Sequence, residues 1–360
     1  MRILQVIETG GPGGAETVFA RLSSGLSDRG HHVHCVTREG SWLPAEIATR
    51  GLPWSVWRSG GAFDITLVRR LRDLIRTERI DVVHAHLFDG AVYAALAARS
   101  VGIPAIVTLH GQVDVKADGW KSATKARLLR IGASRVVAVS SALGKELGAR
   151  LRLPPQNLRV IANGVPVPTL GAITKHIAVN RRIIAIGNIR APKNYALLLE
   201  SLSKVRARAS DVHLDVLGEP DKGTLYTELQ EQVRRLGLSE AVTFRGFVPN
   251  PQALLTNADL LVQASSKEGF SLAIVEAMLS GVPVVSTRSG GPEEIITHEA
   301  NGLLVPVNDS DALADAIVRV LDDGLLAKRL SENGLQHART NYGLDGMISN
   351  YERLYLEVLR

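Results

Sequence analysis

Short apolar runs, many of them Val, Ile, Leu and Ala without a polar alternate, recur along this chain of 360 residues and take turns with longer segments of helical period. A strand with one face in water alternates apolar and polar side chains. A strand buried on both faces does not, and that is the habit of strands inside a parallel sheet. In the first half the runs fall at residues 3–7, 33–36, 82–84, 103–109, 136–139 and 160–161. In the second they fall at 183–186, 212–217, 242–244, 260–262, 282–285 and 303–305. The segments between them are amphipathic: Ala15, Val18, Leu22 and Leu26 share one helical face. Strand and helix in such regular turn predict an α/β chain with helices on both faces of parallel sheets.

The pattern restarts near residue 180. Residues 163–171 read Asn-Gly-Val-Pro-Val-Pro-Thr-Leu-Gly, and such prolines and glycines continue neither strand nor helix. The linker is expected there, with a first domain over 1–168 and a second over 169–345. A chain this long suits two domains.

Composition narrows the partners. The longest apolar candidate for a membrane span, residues 82–107, is broken by His84, His86, Asp89 and Arg99. The apolar run at the N-terminus is too short for a signal peptide and reads as the first strand. Cys35 is the only cysteine, so no intramolecular disulfide forms and a cytoplasmic location is expected. The net charge of +6 suits nucleic acid, an anionic membrane or a phosphorylated substrate. Aromatic residues make up only 4% of the chain, and no basic stretch is interleaved with them, which leaves nucleic acid the weakest of the three. Residues 65–79 carry Arg69, Arg70, Arg72, Arg76 and Arg79 among Leu67, Leu71, Leu74 and Ile75. Such a helix suits peripheral contact with an anionic membrane, on its inner face, or steering of a phosphorylated lipid acceptor. A core-packing helix with a solvated basic face is the simpler reading and the favoured one.

Two segments carry chemistry. Gly10-Gly11-Pro12-Gly13-Gly14-Ala15-Glu16 follows the first strand and opens a helix. Glycines there let the backbone approach a ligand, and helix-start N–H groups favour an anion. The dinucleotide fingerprint fails, because Glu16 stands where the third glycine belongs. A phosphate site and a plain tight turn therefore stay equally open. The second segment, from Ser265 to Ala277, holds Glu268 and Glu276. Glu268 falls in a small-residue loop after an apolar strand and Glu276 on the following helix, near the strand edge where open α/β sheets bind ligands. A carboxylate there can accept from sugar or ribose hydroxyls. It can also simply complement a helix dipole.

The segment from Glu268 to Glu276 resembles the E-x7-E motif of glycosyltransferase family 4. Other pieces follow in that family's order: Gly13-Gly14-Ala15-Glu16, Asp81-Val82-Val83-His84-Ala85-His86, Thr108-Leu109-His110-Gly111, Ser140-Ser141 and Val160-Ile161-Ala162-Asn163-Gly164-Val165. The second half adds the donor-phosphate loop Gly187-Asn188-Ile189-Arg190-Ala191-Pro192-Lys193-Asn194 and the nucleobase region Phe244-Arg245-Gly246-Phe247-Val248. Gly281 to Ser286, Gly290 to Ile295 and Asn301 to Val305 continue the match.

The resemblance implies the GT-B fold, two Rossmann-like domains with mainly parallel sheets facing each other across a cleft, and a last helix near 346–360 packing back on the first domain. It implies retaining transfer of a hexosyl group from a nucleotide-sugar, a UDP- or GDP-sugar, to a glycan, lipid-linked or small-molecule acceptor, as in cell-envelope polysaccharide synthesis. Glu276 would bind ribose hydroxyls and Glu268 the transferred sugar. Gly269, Phe270 and Ser271 would offer backbone N–H groups to phosphate or sugar. Lys193 would neutralise the leaving diphosphate. The family's arginine position in that loop is Asn188 here, with Arg190 two residues on. Phe247 would lie by the nucleobase, His110 by the reacting sugar carbon, and Gly13 and Gly14 by phosphate or acceptor. The nucleotide-sugar is a co-substrate, and neither a cofactor nor a metal is implied.

Other readings of single features compete. His84 and His86 point to one side of a strand and could bind a metal, but no third ligand is spaced to join them, and hydrogen-bonded core histidines are the favoured reading. Asp309-Ser310-Asp311 reads as a helix N-cap. The polar residues 112–125, with Gly119 and Trp120, suit an acceptor loop or a surface connection. Three other functions stand against the transferase. A nucleotide-sugar epimerase of the same fold would need its own acid and base. A nicotinamide-dependent oxidoreductase has only Glu39 in its favour. A silent donor-binding protein has only Asn188.

Overall fold

A computed structural model describes residues 1–39, 42–58, 64–111, 119–168 and 181–360. Residues 112–118 of the polar segment lie outside the described residues, and Trp120 opens the helix Trp120–Gly132. The chain forms two compact units. One is Met1–Gly164 together with Leu344–Arg360, and the other is Val165–Gly343.

The first unit holds β1 (Arg2–Ile7), β2 (His32–Arg38), β3 (Trp54–Trp57), β4 (Val82–His86), β5 (Ala105–Leu109), β6 (Arg135–Ala138) and β7 (Leu158–Val160). They form one parallel sheet in the order β3-β2-β1-β4-β5-β6-β7. The second unit holds β8 (Arg182–Ile186), β9 (His213–Leu217), β10 (Val242–Gly246), β11 (Leu260–Gln263), β12 (Val284–Thr287) and β13 (Leu303–Val305). Its sheet is also parallel, in the order β10-β9-β8-β11-β12-β13. Each order starts in the middle and runs outward first one way, then the other. The reversal lies between β1 and β4 in one unit and between β8 and β11 in the other. Loops leaving the two strands diverge there and open a crevice at the carboxyl edge.

The apolar runs read from the sequence became twelve of these strands. The exception is β3, an edge strand in which Trp54, Ser55 and Val56 keep partial exposure while Trp57 is buried. Its Ser55 interrupts what would otherwise be an apolar run. The run expected at 282–285 moved on to β12 because Pro283 has no N–H for the ladder; its carbonyl instead accepts from Leu261 N–H at 3.0 Å. In the second unit Ile183, Leu214, Leu260, Val262 and Val285 are buried with Leu198, Leu202 and Ile317 of the covering helices. Each such side chain contributes about 1.5–3 kcal/mol through burial.

The helix Leu344–Leu359 belongs to the first unit. It buries Met347, Ile348, Tyr351, Leu354 and Tyr355, a stripe at helical spacing. Ile348 packs where Gly25 leaves room, since a Cβ on Gly25 would come within 2.2 Å of Ile348 Cδ1. Outside that seam Glu357 pairs with Arg135 and Arg159, each at 2.8 Å. The basic helix Ile65–Thr77 buries Leu67, Leu71 and Ile75 and exposes Arg69, Arg70 and Arg76, the core-packing arrangement. Among the described residues no helix is long and apolar enough to cross a membrane.

Candidate active site

In the second unit the chain leaves β8 through Gly187–Asn194 and leaves β11 through Ala264–Ser271, so both loops flank the sheet's reversal point. They meet in an ion pair: Lys193 Nζ donates to Glu268 Oε2 at 2.6 Å. The two side chains keep only 26% and 14% of their surface, so water screens the pair weakly. Ser265 Oγ donates to the same oxygen at 3.2 Å and Gln263 Nε2 approaches it at 3.5 Å. One carboxylate oxygen thus collects the local donors, and Oε1 keeps its capacity to accept.

Backbone bonds fix this loop. Glu268 N–H donates to Ser289 O at 2.8 Å, and Glu268 O accepts from Gly291 N–H at 2.9 Å. Gly291 is tight against Gly269: a Cβ would lie 2.6 Å from Gly269 O. Ser271 Oγ caps the helix Leu272–Leu279 by accepting from Ile274 N–H at 3.3 Å, and it donates to Gln263 Oε1. Gly269, Phe270 and Ser271 are buried, with Phe270 edge-on to Tyr342. Their N–H groups stand at a helix start, whose first N–H groups have no intrahelical acceptor. Glu276 lies half-buried further along that helix. Phe247 is half-buried after the edge strand β10, and Arg190 is exposed where the loop after β8 turns. Asn188, at the arginine position, accepts through Oδ1 from Glu219 N–H at 3.0 Å and so ties the loops after β8 and β9 together.

Those two loops pass backbone against backbone. A Cβ on Gly218 would lie 2.0 Å from Gly187 O and 2.4 Å from Gly187 C. No rotamer relieves a clash with main chain. Gly218→Ala is expected to cost about 1–3 kcal/mol, the usual range for overpacking, and to shift the urea midpoint of this unit accordingly. An unchanged midpoint would mean that the loop after β8 yields freely.

In the first unit Gly13 precedes and Gly14 opens the helix Gly14–Asp28 that follows β1, at that sheet's reversal point. Gly13 is the N-cap, and a Cβ there would fall 2.5 Å from Glu16 Oε2. Glu16 folds back on the cap as a capping-box glutamate does. His86 ends β4, and His110 follows β5. His86 Nδ1 is 2.9 Å from His110 Nε2, and His86 Nε2 is 3.1 Å from Gln5 Oε1. Gln5 Nε2 donates to Tyr355 Oη at 3.2 Å. Tyr355 Oη lies 2.7 Å from His84 Nδ1, and His84 Nε2 lies 2.8 Å from Thr108 Oγ1. Gln5, His84, His86, Thr108, Tyr351 and Tyr355 are wholly buried. Burial alone pushes His110 down to about 4, and it is the main cause that takes His84 down to about 3 and His86 well below its usual value. These histidines are neutral at pH 7, and His84 and His86 are held in a hydrogen-bonded core, the reading favoured from the sequence for that pair.

The structure therefore joins Lys193 to Glu268 and His110 to His86. Gln263, Ser265, Gln5, Tyr351 and Tyr355 escaped the sequence reading. The missed signal was a single glutamine inside an otherwise apolar strand, as in Arg2-Ile3-Leu4-Gln5-Val6-Ile7 and Leu260-Leu261-Val262-Gln263.

Comparison with known proteins accounts for both units. Residues 12–167 match the model of Glycosyltransferase Family 4, and residues 174–337 match Glycosyl transferases group 1. The chain is a family 4-like glycosyltransferase. It is 27% identical to the N-acetyl-alpha-D-glucosaminyl L-malate synthase of Bacillus anthracis, over 97% of this chain and 95% of that one. It is 26% identical to the lipopolysaccharide core biosynthesis glycosyltransferase LpsE of Rhizobium meliloti, over 96% of each. Anabaena HepE, crystallised in complex with UDP-glucose, superposes with a TM-score of 0.88 at 23% identity, over 99% of this chain and 100% of that one. That likeness gives this glycosyltransferase the GT-B fold, and its two parallel sheets are the Rossmann-like halves of that fold.

Proposed function

We propose that this glycosyltransferase moves a hexosyl group, with retention of configuration, from a UDP- or GDP-sugar to a glycan, lipid-linked or small-molecule acceptor, in the synthesis of a cell-envelope polysaccharide. The observation that carries the reading is the Lys193–Glu268 pair at the reversal point of the second sheet. A cation and a carboxylate with a spare oxygen, beside a helix start, suit a diphosphate and a sugar hydroxyl together. The complex of HepE with UDP-glucose and the lipopolysaccharide role of LpsE support the donor and acceptor classes.

In this reading the bond from the anomeric carbon to the diphosphate oxygen breaks as the bond to the acceptor oxygen forms on the same face. The acceptor's proton passes to the departing diphosphate. Negative charge grows on that diphosphate, where Lys193, with Arg190 and the N–H groups of Gly269, Phe270 and Ser271, stabilises it. Glu268 Oε1 accepts from the sugar, Glu276 from the ribose, and Phe247 lies by the nucleobase. His110 bonds the sugar near the reacting carbon, and Gly13 and Gly14 face phosphate or acceptor.

Thermal unfolding with UDP, GDP, ADP and NAD, on wild type and Glu276→Ala, tests the donor site. A bound nucleotide at a hundredfold excess over its Kd stabilises by about 2.7 kcal/mol. A shift with UDP or GDP that Glu276→Ala abolishes is expected. A shift with NAD alone would sink the reading.

A further inference from the structure

The buried chain that ends on His110 has a direction, and Gln5 sets it. A carbonyl oxygen only accepts, so at the 3.1 Å contact with Gln5 Oε1 the proton sits on His86 Nε2. A neutral imidazole carries one N–H, which leaves His86 Nδ1 bare. At 2.9 Å from it, His110 Nε2 must therefore be the donor. His110, neutral in turn, is left with its lone pair on Nδ1. In this orientation the amide's other end donates to Tyr355 Oη at 3.2 Å, and Tyr355 Oη lies 2.7 Å from His84 Nδ1. Gln5, His86 and Tyr355 are fully buried, so no water competes to scramble the bonds, and an unmade one would be costly. The rings of His86 and His110 are stacked at 5.2 Å between centroids, which restricts rotation about the bond that joins them.

We propose that Gln5, acting through His86, is a positioning residue that holds His110 in the Nε2–H tautomer, so that His110 offers Nδ1 as an acceptor to a hydroxyl of the substrate rather than a donor to its oxygen. This rests on the reading above in which His110 touches the donor sugar. It adds what that reading leaves open: the sense of the hydrogen bond, and the strand residue that dictates it. An enzyme gains from such a relay because a wrong tautomer places a proton where the substrate also brings one.

Nitrogen-15 NMR of the histidine rings in the ligand-free, full-length protein at pH 7 reads each tautomer directly. Both His86 and His110 are expected as Nε2–H. In Gln5→Leu the His110 signal is expected to change to a mixture of tautomers, with kcat falling about tenfold or more and the donor KM changing little. In Gln5→Glu an accepting oxygen remains for His86, and the Nε2–H signal of neutral His86 is expected to persist. A wild-type His110 carrying its proton on Nδ1, the pattern of a reversed amide, would overturn the proposal without any variant having to fold. So would a Gln5→Leu protein whose His110 tautomer is unchanged. His110→Ala with undiminished turnover would overturn the sugar-contact role instead, while the ligand-free spectra still decide the Gln5–His86 relay.

Discussion

Replacing Lys193 by alanine is expected to lower kcat about a hundred- to a thousandfold, the loss seen when one preorganised donor to a developing anion is removed, or about 2.7–4 kcal/mol. In the free protein Nζ is bonded to Glu268 Oε2 at 2.6 Å, and Gly187 gives its stem room, since a Cβ there would come within 2.9 Å of Lys193 Cε. The ammonium is thus in place before any ligand arrives, and little ordering is required of it later. Charge on the leaving diphosphate is larger in the transition state than in the bound donor. An interaction that tracks that charge reduces kcat and kcat/KM together. A Lys193→Ala enzyme with a raised donor KM and an unaltered kcat would show that the lysine only binds. Glu268 supplies the internal control. In Lys193→Ala its carboxylate keeps Ser265 and Gln263, so the loop survives, and the variant should still unfold cooperatively, at a temperature lowered by the loss of the half-buried ion pair.

The sequence made the two parallel sheets legible because fully buried strands leave an unmistakable run of apolar residues. β3 escaped because Ser55 breaks its four residues and only Trp57 among them is buried, so it leaves no apolar run. The charged members of the candidate site, Lys193 and Glu268, were legible through their motif, but not their contact, which spans 75 residues. Long-range pairing depends on strand order, and strand order is absent from local periodicity. The neutral polar residues were the hardest. Gln5 and Gln263 each stand in an apolar strand as an apparent blemish. Only the tertiary structure reveals that one meets His86 and Tyr355 and the other Glu268 and Ser271. Asn188 is the reverse case. Its departure from the family's arginine was visible at once, while the use the protein makes of it, a bond to Glu219 N–H at 3.0 Å, was not. Polar groups inside a sheet must be paired to be tolerated, so each such glutamine signals a partner without naming it.

That pairing has a consequence for acid stability, and it is expected to be large. His84 and His86 are wholly buried and neutral, with values pushed to about 3 and well below the usual range, burial being the leading cause. Unfolded, each returns to about 6.5. Between the two values the unfolded chain binds the extra proton, so stability rises with pH in that window. It is fully present above about pH 6.5 and is lost as pH falls from there towards the folded values. Each histidine can remove up to about 1.4 kcal/mol per pH unit, so at pH 5 His84 alone, with its folded value near 3, costs about 2 kcal/mol, and His86 adds to that loss. Burial pushes His110 and His34 the same way, with a smaller effect where the ring keeps contact with water. The lowered carboxylates of Glu299, Glu352 and Glu357 also favour the deprotonated form in the folded protein, but they titrate only below their usual range, so they leave the interval from pH 6.5 to 5 undisturbed. All four tryptophans, Trp42, Trp54, Trp57 and Trp120, lie in the first unit. Their fluorescence therefore follows the unfolding of the unit that contains the histidines. Urea midpoints read this way at pH 7 and pH 5 are expected to fall steeply, and His84→Asn should flatten the slope by about one proton. A slope near zero over that interval would show that the core opens to water, or that His84 and His86 are not held neutral in it. The Gln5 relay could not then be the rigid element that sets His110.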